Sequence, residues 1–181
     1  MQVVQIVAPT TESITLIEAK AFVRVLHDDD NILIKELIDS TCEHTQEILN
    51  RQLEVATYEL YTDDFISKLP KNPISSILKI EYMDATGAYV ELDSDTYYLY
   101  ENNGIGYIHY ESTPSVLQHK KAVKITFVCG YYKIPSPIKS YMRVLIATAY
   151  EHREKYVIGV VVSEFNDGLI SQLLKPYRIM P

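Results

Sequence analysis

The sequence predicts an α+β fold: a helical frame of two N-terminal helices and one long C-terminal helix, with an antiparallel β-sheet region inserted between them. Three observations carry this expectation. Apolar residues recur at helical spacing over 14–50, the period changes to two from Gln52 onward, and helical spacing returns after Ser136. The 181 residues fit one ordinary domain, and 47% hydrophobic with 23% charged residues matches a globular chain rather than a disordered or fibrous one.

Residues 1–13 show no strong period and are expected to form an extended, loosely held arm. Thr15-Leu16-Ile17-Glu18 has the spacing of a capping box, in which Thr15 accepts from the backbone of Glu18 and Glu18 reaches back. Ala19, Phe22 and Val23 continue a short first helix that ends near Val25. His27-Asp28-Asp29-Asp30 then precedes a second helix over 31–50, with Ile34, Ile38, Thr41, Thr45 and Ile48 on one stripe, widened by Leu37 and Leu49. An aspartate of the acidic run is expected to cap this helix and to oppose its dipole.

The strands are expected over 52–130, as a meander. Leu78-Lys79-Ile80-Glu81-Tyr82 alternates apolar and charged residues, as a strand with one wet face does. Asp84-Ala85-Thr86-Gly87 reads as a turn and Tyr89–Leu92 as its returning strand. Asn102-Asn103-Gly104 marks a hairpin between Tyr97–Tyr100 and Ile105–Tyr110, because Asn and Gly tolerate positive φ. Val123–Val128 is a further strand, stopped by Gly130. Ser136 as N-cap and Pro137 at the first helical position open the long helix, 136–156, whose apolar stripe is Ile138, Met142, Leu145 and Ala149. The tail, 157–181, contains a turn at Phe165-Asn166-Asp167-Gly168 and a short helical stretch from Leu169 to Leu174.

Several chemistries find no motif. No apolar run approaches the ~18 residues of a membrane span, and Met1-Gln2-Val3-Val4 is not the start of a secretory signal. Two cysteines, Cys42 and Cys129, cannot build a disulfide framework and suit a reducing cytosol. A net charge of −7 opposes general nucleic-acid binding. No nucleophile elbow, phosphate loop or dinucleotide fingerprint occurs, and Glu151-His152-Arg153-Glu154 lacks the second histidine of a zinc motif, with Tyr156 in its place. His27, Asp28 and Asp30 are potential metal ligands, and a small metal-dependent enzyme built on them is the alternative of a different class. The spacing of a calcium loop fails, since Leu33 and Asp39 stand where it needs Gly and Glu. The expectation is no enzyme, no cofactor and no metal.

There are 15 tyrosines and no tryptophan, and nine of the tyrosines crowd into 82–132. Tyrosine suits both ordinary half-exposed strands and protein interfaces.

Taken in order, several segments resemble the phage head-tail connector (adaptor) family. Ile14–Val25 resembles that family's Leu-x-Glu-Ala-Lys-x-x-Leu-Arg-Val opening, with Phe22 in place of the usual leucine. His27-Asp28-Asp29-Asp30 and then Ile34, Leu37 and Ile38 follow as in the family. Ile80–Asp84 with Gly87 is similar to its Val-x-Tyr-x-Asp-x-x-Gly hairpin. Val123–Phe127, Gly130-Tyr131, Ile134-Pro135 and Pro137-Ile138-Lys139 are similar to its last strand and helix entry. Ala149–Glu154 and the Pro176-Tyr177-Arg178 ending match as well, so the resemblance spans about 14–178. It implies a structural virion protein, present in host cytoplasm before assembly, that forms a homo-oligomeric, dodecameric ring below the portal. DNA passes through such a ring without sequence-specific binding; the implied partners are the portal protein and a downstream stopper or tail protein, with no membrane. A tail-completion or tail-terminator protein is the nearest structural alternative. For the ring boundary, Glu36, Glu43 and Glu47 on one helix are expected to face Lys139, Arg143 and Arg153 on another. The hairpin tyrosines Tyr97, Tyr100 and Tyr107 are expected to add apolar contact to an adjoining layer.

Overall fold

The structure is a computed structural model that describes residues 1–152, 172 and 174–179. The expected turn and helix over 165–174, and the end of the long helix over 153–156, fall on residues outside these except for Gln172 and Leu174. Length alone leads one to expect one domain. The chain divides into two compact units: a β unit of Met1–Thr11 with Glu54–Tyr132, and a helical unit of Glu12–Leu53 with Lys133–Pro181.

The helical unit holds α1 (Leu16–Val23), α2 (Asn31–Leu49) and α3 (Ser136–Glu151), each packed on the other two. The capping box at α1 forms as expected: Glu18 N donates to Thr15 Oγ1 at 3.2 Å and Thr15 N to Glu18 Oε2 at 3.1 Å. Along α2, Ile34, Leu37, Ile38, Thr41, Thr45 and Leu49 are buried. Cys42 joins them, and α3 buries Ile138, Tyr141, Met142, Leu145 and Ile146. The expected cap of α2 does not form. Asp30 is the N-cap residue but makes no side-chain cap bond, because at φ −97°, ψ 8° it lies outside the extended region that aims an N-cap oxygen at the helix. Its carboxylate instead accepts from the Tyr150 hydroxyl of α3. The entry to α3 is also one residue earlier than expected. Pro135, not Ser136, is the N-cap, and its carbonyl accepts from Ile138 N at 3.0 Å and Lys139 N at 3.2 Å. Pro137 still sits in the first turn, where a missing N–H costs nothing. Ile179 N donates to Leu49 O at 3.0 Å, fastening the C-terminal segment to the end of α2.

The β unit contains a five-stranded sheet of β1 (Gln2–Val7), β2 (Ala56–Thr62), β3 (Ile74–Met83), β4 (Tyr89–Glu91) and β7 (Val123–Cys129). A two-stranded ribbon is formed by β5 (Tyr97–Asn102) and β6 (Ile105–Tyr110). All pairs are antiparallel, so the α+β class stands, but the order β1-β2-β7-β3-β4 is not a meander. The last strand is inserted at the centre because Val123, Ile125, Phe127 and Cys129 fill one face while Thr126 is buried on the other. Of residues 1–13, Gln2–Val7 form a strand and are not a loose arm. β1 pairs along β2, and its Val3 packs on the core of Tyr58, Leu60, Ile80, Ile125 and Phe127. The alternation read at Leu78–Tyr82 breaks at its first residue. Ile77 pairs with Phe127 and Lys79 with Thr126, so Leu78 is the extra residue of a bulge and is exposed, while Ile80 is buried. The ribbon turn has φ 51° at Asn103 and 74° at Gly104, the conformation its sequence requires.

Candidate functional site

The candidate metal residues do not converge. His27 Nδ1 lies 3.7 Å from Asp29 Oδ2 and its Nε2 3.8 Å from Asp30 Oδ2. Asp28 is directed to Lys20 Nζ, at 2.7 Å, and to Asn31 Nδ2, at 3.2 Å. These bonds, Lys20's first, hold the Asp28 carboxyl below its usual range. No group of three or more metal-ligating side chains converges among the described residues. Both cysteines are buried and neither is in a disulfide, and burial pushes the Cys129 thiol up to about 12, which keeps it protonated and unreactive at neutral pH. No helix among the described residues is long and apolar enough to cross a membrane.

What the chain does present is surface. On α2, Glu36, Glu43 and Glu47 are all exposed, opposite the buried stripe, as the helical period requires. Lys139 and Arg143 are not free basic residues on an outer strip. Lys139 Nζ lies 3.4 Å and Arg143 Nη2 3.3 Å from Glu18 Oε1, so they join α3 to α1. Arg153 lies outside the described residues.

On the wet face of the sheet, Glu81 receives Lys124 at 2.6 Å and Lys79 at 2.9 Å. Burial raises the Glu81 pKa, but these two ammonium groups outweigh it and hold the carboxyl below its usual range. The Tyr61 hydroxyl donates to Glu59 at 2.6 Å, which pushes its pKa up to about 12. Lys121 and Lys124 lie over the rings of Tyr61 and Tyr89, at 4.8 and 5.0 Å. These charges are thus paired within the chain, across β3 and β7.

The β5–β6 ribbon has two unlike faces. Tyr97, Leu99, Ile108 and Tyr110 pack toward the core, and Asn72 anchors the ribbon by accepting from Gly106 N at 2.6 Å. Tyr98, Tyr100, Tyr107 and His109 lie on the other face, where Tyr98 is 52% and Tyr100 42% exposed. The Tyr100 and Tyr107 rings stack at 5.5 Å, and Tyr98 lies 4.9 Å from His109. Of the three hairpin tyrosines expected at an interface, Tyr100 and Tyr107 therefore share the outer face and Tyr97 does not. Tyr98 and His109, missed from sequence, follow from strict period-two alternation once Asn103-Gly104 fixes the register.

With this geometry, the chain is similar in fold to chains of solved gene transfer agent (GTA) particles. A chain in the neck of an empty GTA particle, computed with C6 symmetry, matches with a TM-score of 0.78 at 14% identity, over 100% of this chain and 97% of that one. A chain in the virion of a native gene transfer agent (GTA) particle matches at 0.77 and 14% identity, with the same coverage. A chain in the neck of the native GTA particle, computed with C12 symmetry, matches at 0.71 and 15% identity, again over 100% and 97%. The chain has the fold of these chains. No family model and no curated protein matches it by sequence.

Proposed function

We propose that this chain is a structural virion protein, a head-tail connector (adaptor) of the neck of a phage or phage-like particle. The observation that carries the reading is the end-to-end fold match to chains of particle necks solved with sixfold and twelvefold symmetry. The ordered sequence resemblance to connectors over about 14–178 supports it independently. In this reading copies of the chain form a dodecameric ring, held by heterologous contacts that close by rotation. The ring lies below the portal protein, meets a stopper or tail protein on its other side, and lets DNA through. A net charge of −7 favours passage over capture, because tight binding needs many phosphates neutralised. The exposed Glu36, Glu43 and Glu47 form one side of the subunit boundary. Lys139 and Arg143 keep side-chain exposures of 28% and 31% beside Glu18, so a neighbour's carboxylate can reach them from solvent, with Arg153 as the third cation. The protein is thus made in host cytoplasm and ends in the virion.

The test is to add purified chain to portal-bearing heads that lack it and to image them by electron microscopy. Ring density beneath the portal is expected. Bare portals in the presence of folded protein overturn the reading.

A further inference from the structure

We propose that the outer face of the β5–β6 ribbon is a docking surface for an arginine-bearing segment of another protein chain. That the segment belongs to an adjoining layer of the neck rests on the function proposed above; the chemistry of the surface does not.

Charge distribution gives the first argument. Residues 80–119 contain Glu81, Asp84, Glu91, Asp93, Asp95, Glu101 and Glu111 and no lysine or arginine. With these seven removed from the 24 acidic residues, 17 remain against 17 lysines and arginines, so the entire net charge of −7 resides in this one stretch. Five of the seven flank or belong to the ribbon: Glu91, Asp93 and Asp95 lead into β5, Glu111 follows β6, and Glu101 lies within β5 in phase with Tyr97 and Leu99, on the side away from the aromatic row. All five are exposed, and such a concentration of one sign selects a cationic partner and repels a phosphate backbone.

Aromatic geometry gives the second argument. Tyr98, Tyr100, Tyr107 and His109 form a continuous row, with neighbouring centroids 4.9, 6.2 and 5.5 Å apart. The β unit seats lysines over the rings of Tyr58, Tyr61 and Tyr89 from within its own chain. Among the described residues no lysine or arginine sits over Tyr98, Tyr100 or Tyr107, although Lys68 bridges to Tyr107 at the ribbon's edge. Ring faces with no cation of the chain over them, on a ribbon whose flanking segments carry the exposed Glu91, Asp93, Asp95 and Glu111, fit a planar guanidinium, which stacks on a ring and keeps N–H groups free for an acid; an ammonium group cannot do both as well. The ribbon's other face is fixed in the core, so the row is presented on a rigid support.

The test uses the free full-length chain with two short peptides of equal charge, one alternating arginine and serine and one alternating lysine and serine, followed by NMR. The arginine peptide is expected to shift the ring resonances of Tyr98, Tyr100, Tyr107 and His109 and to bind about five-fold or more tighter than the lysine peptide. The double variant Tyr98→Ser/Tyr100→Ser is expected to lose that preference while its circular dichroism is unchanged. Equal binding of both peptides, shifts that map away from the ribbon, or an arginine preference retained by the folded double variant each overturn the proposal. So does a duplex oligonucleotide that binds the same face. None of these results depends on ring formation, which separately judges the neck reading.

Discussion

Arg143 Nη2 lies 3.3 Å from Glu18 Oε1, on the same carboxylate whose Oε2 accepts from Thr15 N. One side chain therefore closes the N-terminus of α1 and ties α1 to α3. The hydrogen bond from the Thr15 backbone is the largest influence on the Glu18 carboxyl; with Lys139 and Arg143 it outweighs burial and holds the pKa below its usual value. A folded pKa below the unfolded one contributes stability that is present above the unfolded pKa and lost as pH falls through the folded one. Replacing Glu18 by Ala is expected to cost about 1–2 kcal/mol at neutral pH, from the cap and two partly exposed ion pairs. In thermal unfolding, the gap between wild type and Glu18→Gln should narrow as pH falls below about 4. Arg143→Glu should destabilise more than Arg143→Ala, because it sets a second carboxylate against Glu18. A charge reversal at Arg143 is thus not a clean probe of assembly.

Asp30 and Tyr150 should behave as a pair. Since the Asp30 carboxylate accepts from the Tyr150 hydroxyl rather than capping α2, Asp30→Ala and Tyr150→Phe are expected to be non-additive. A double-mutant cycle by urea unfolding should give a coupling of about 1 kcal/mol. Strict additivity would remove the pairing of Asp30 with Tyr150 as a contribution to stability.

Gly130 occupies a place closed to other residues. Its φ is 117°, and a Cβ there would meet Glu54 O at 2.3 Å and Val55 Cα at 2.8 Å, both backbone atoms of the same unit. Gly130→Ala combines left-handed strain with a clash that no side-chain rotation relieves. A loss of about 3 kcal/mol or more is expected, read from the denaturation midpoint.

Asn72 is 4% exposed and joins two segments, accepting from Gly106 N and donating to Leu69 O at 3.3 Å. Asn72→Ala leaves the Gly106 N–H without this acceptor, at a cost of about 2 kcal/mol. The ribbon should lose its anchor first, so amide exchange of β6 should accelerate more than that of β2 or β7.

The helices were legible because their signals are local. Thr15 and Glu18 are three residues apart, and the buried stripe of α2 repeats within one turn of itself. The capping of α2 was misread because an aspartate before a helix has the same sequence whether it bonds the helix or a distant tyrosine, here 120 residues on. Strand order was not legible for the same reason. β7 reads as a strand, but its place between β2 and β3 depends on which partners bury both of its faces. The bulge at Leu78 escaped because one extra residue reverses the face of everything before it. Of the site, the exposed acids of α2 were readable from period, and half of the aromatic row was. The engagement of Lys139 and Arg143 was not, since Glu18 lies more than a hundred residues away.

The acidic face of α2 offers the assembly test that Arg143 does not. Glu36, Glu43 and Glu47 are exposed, and none is in an ion pair among the described residues. Glu43→Lys/Glu47→Lys should therefore leave stability within about 0.5 kcal/mol of wild type, since such surface changes rarely matter to folding. In a ring the same reversal sets like charge across every boundary, so its cost is repeated at each contact and falls on assembly alone. The expected outcome is a variant with unchanged circular dichroism and melting temperature that fails to occupy portal-bearing heads in electron microscopy. If Arg153 is the facing cation, adding Arg153→Glu to the same chain should restore occupancy, because each boundary then regains opposite charges. Normal occupancy by the double variant removes the acidic face of α2 from the boundary. Lost occupancy without rescue keeps α2 there and assigns its partner to a cation other than Arg153.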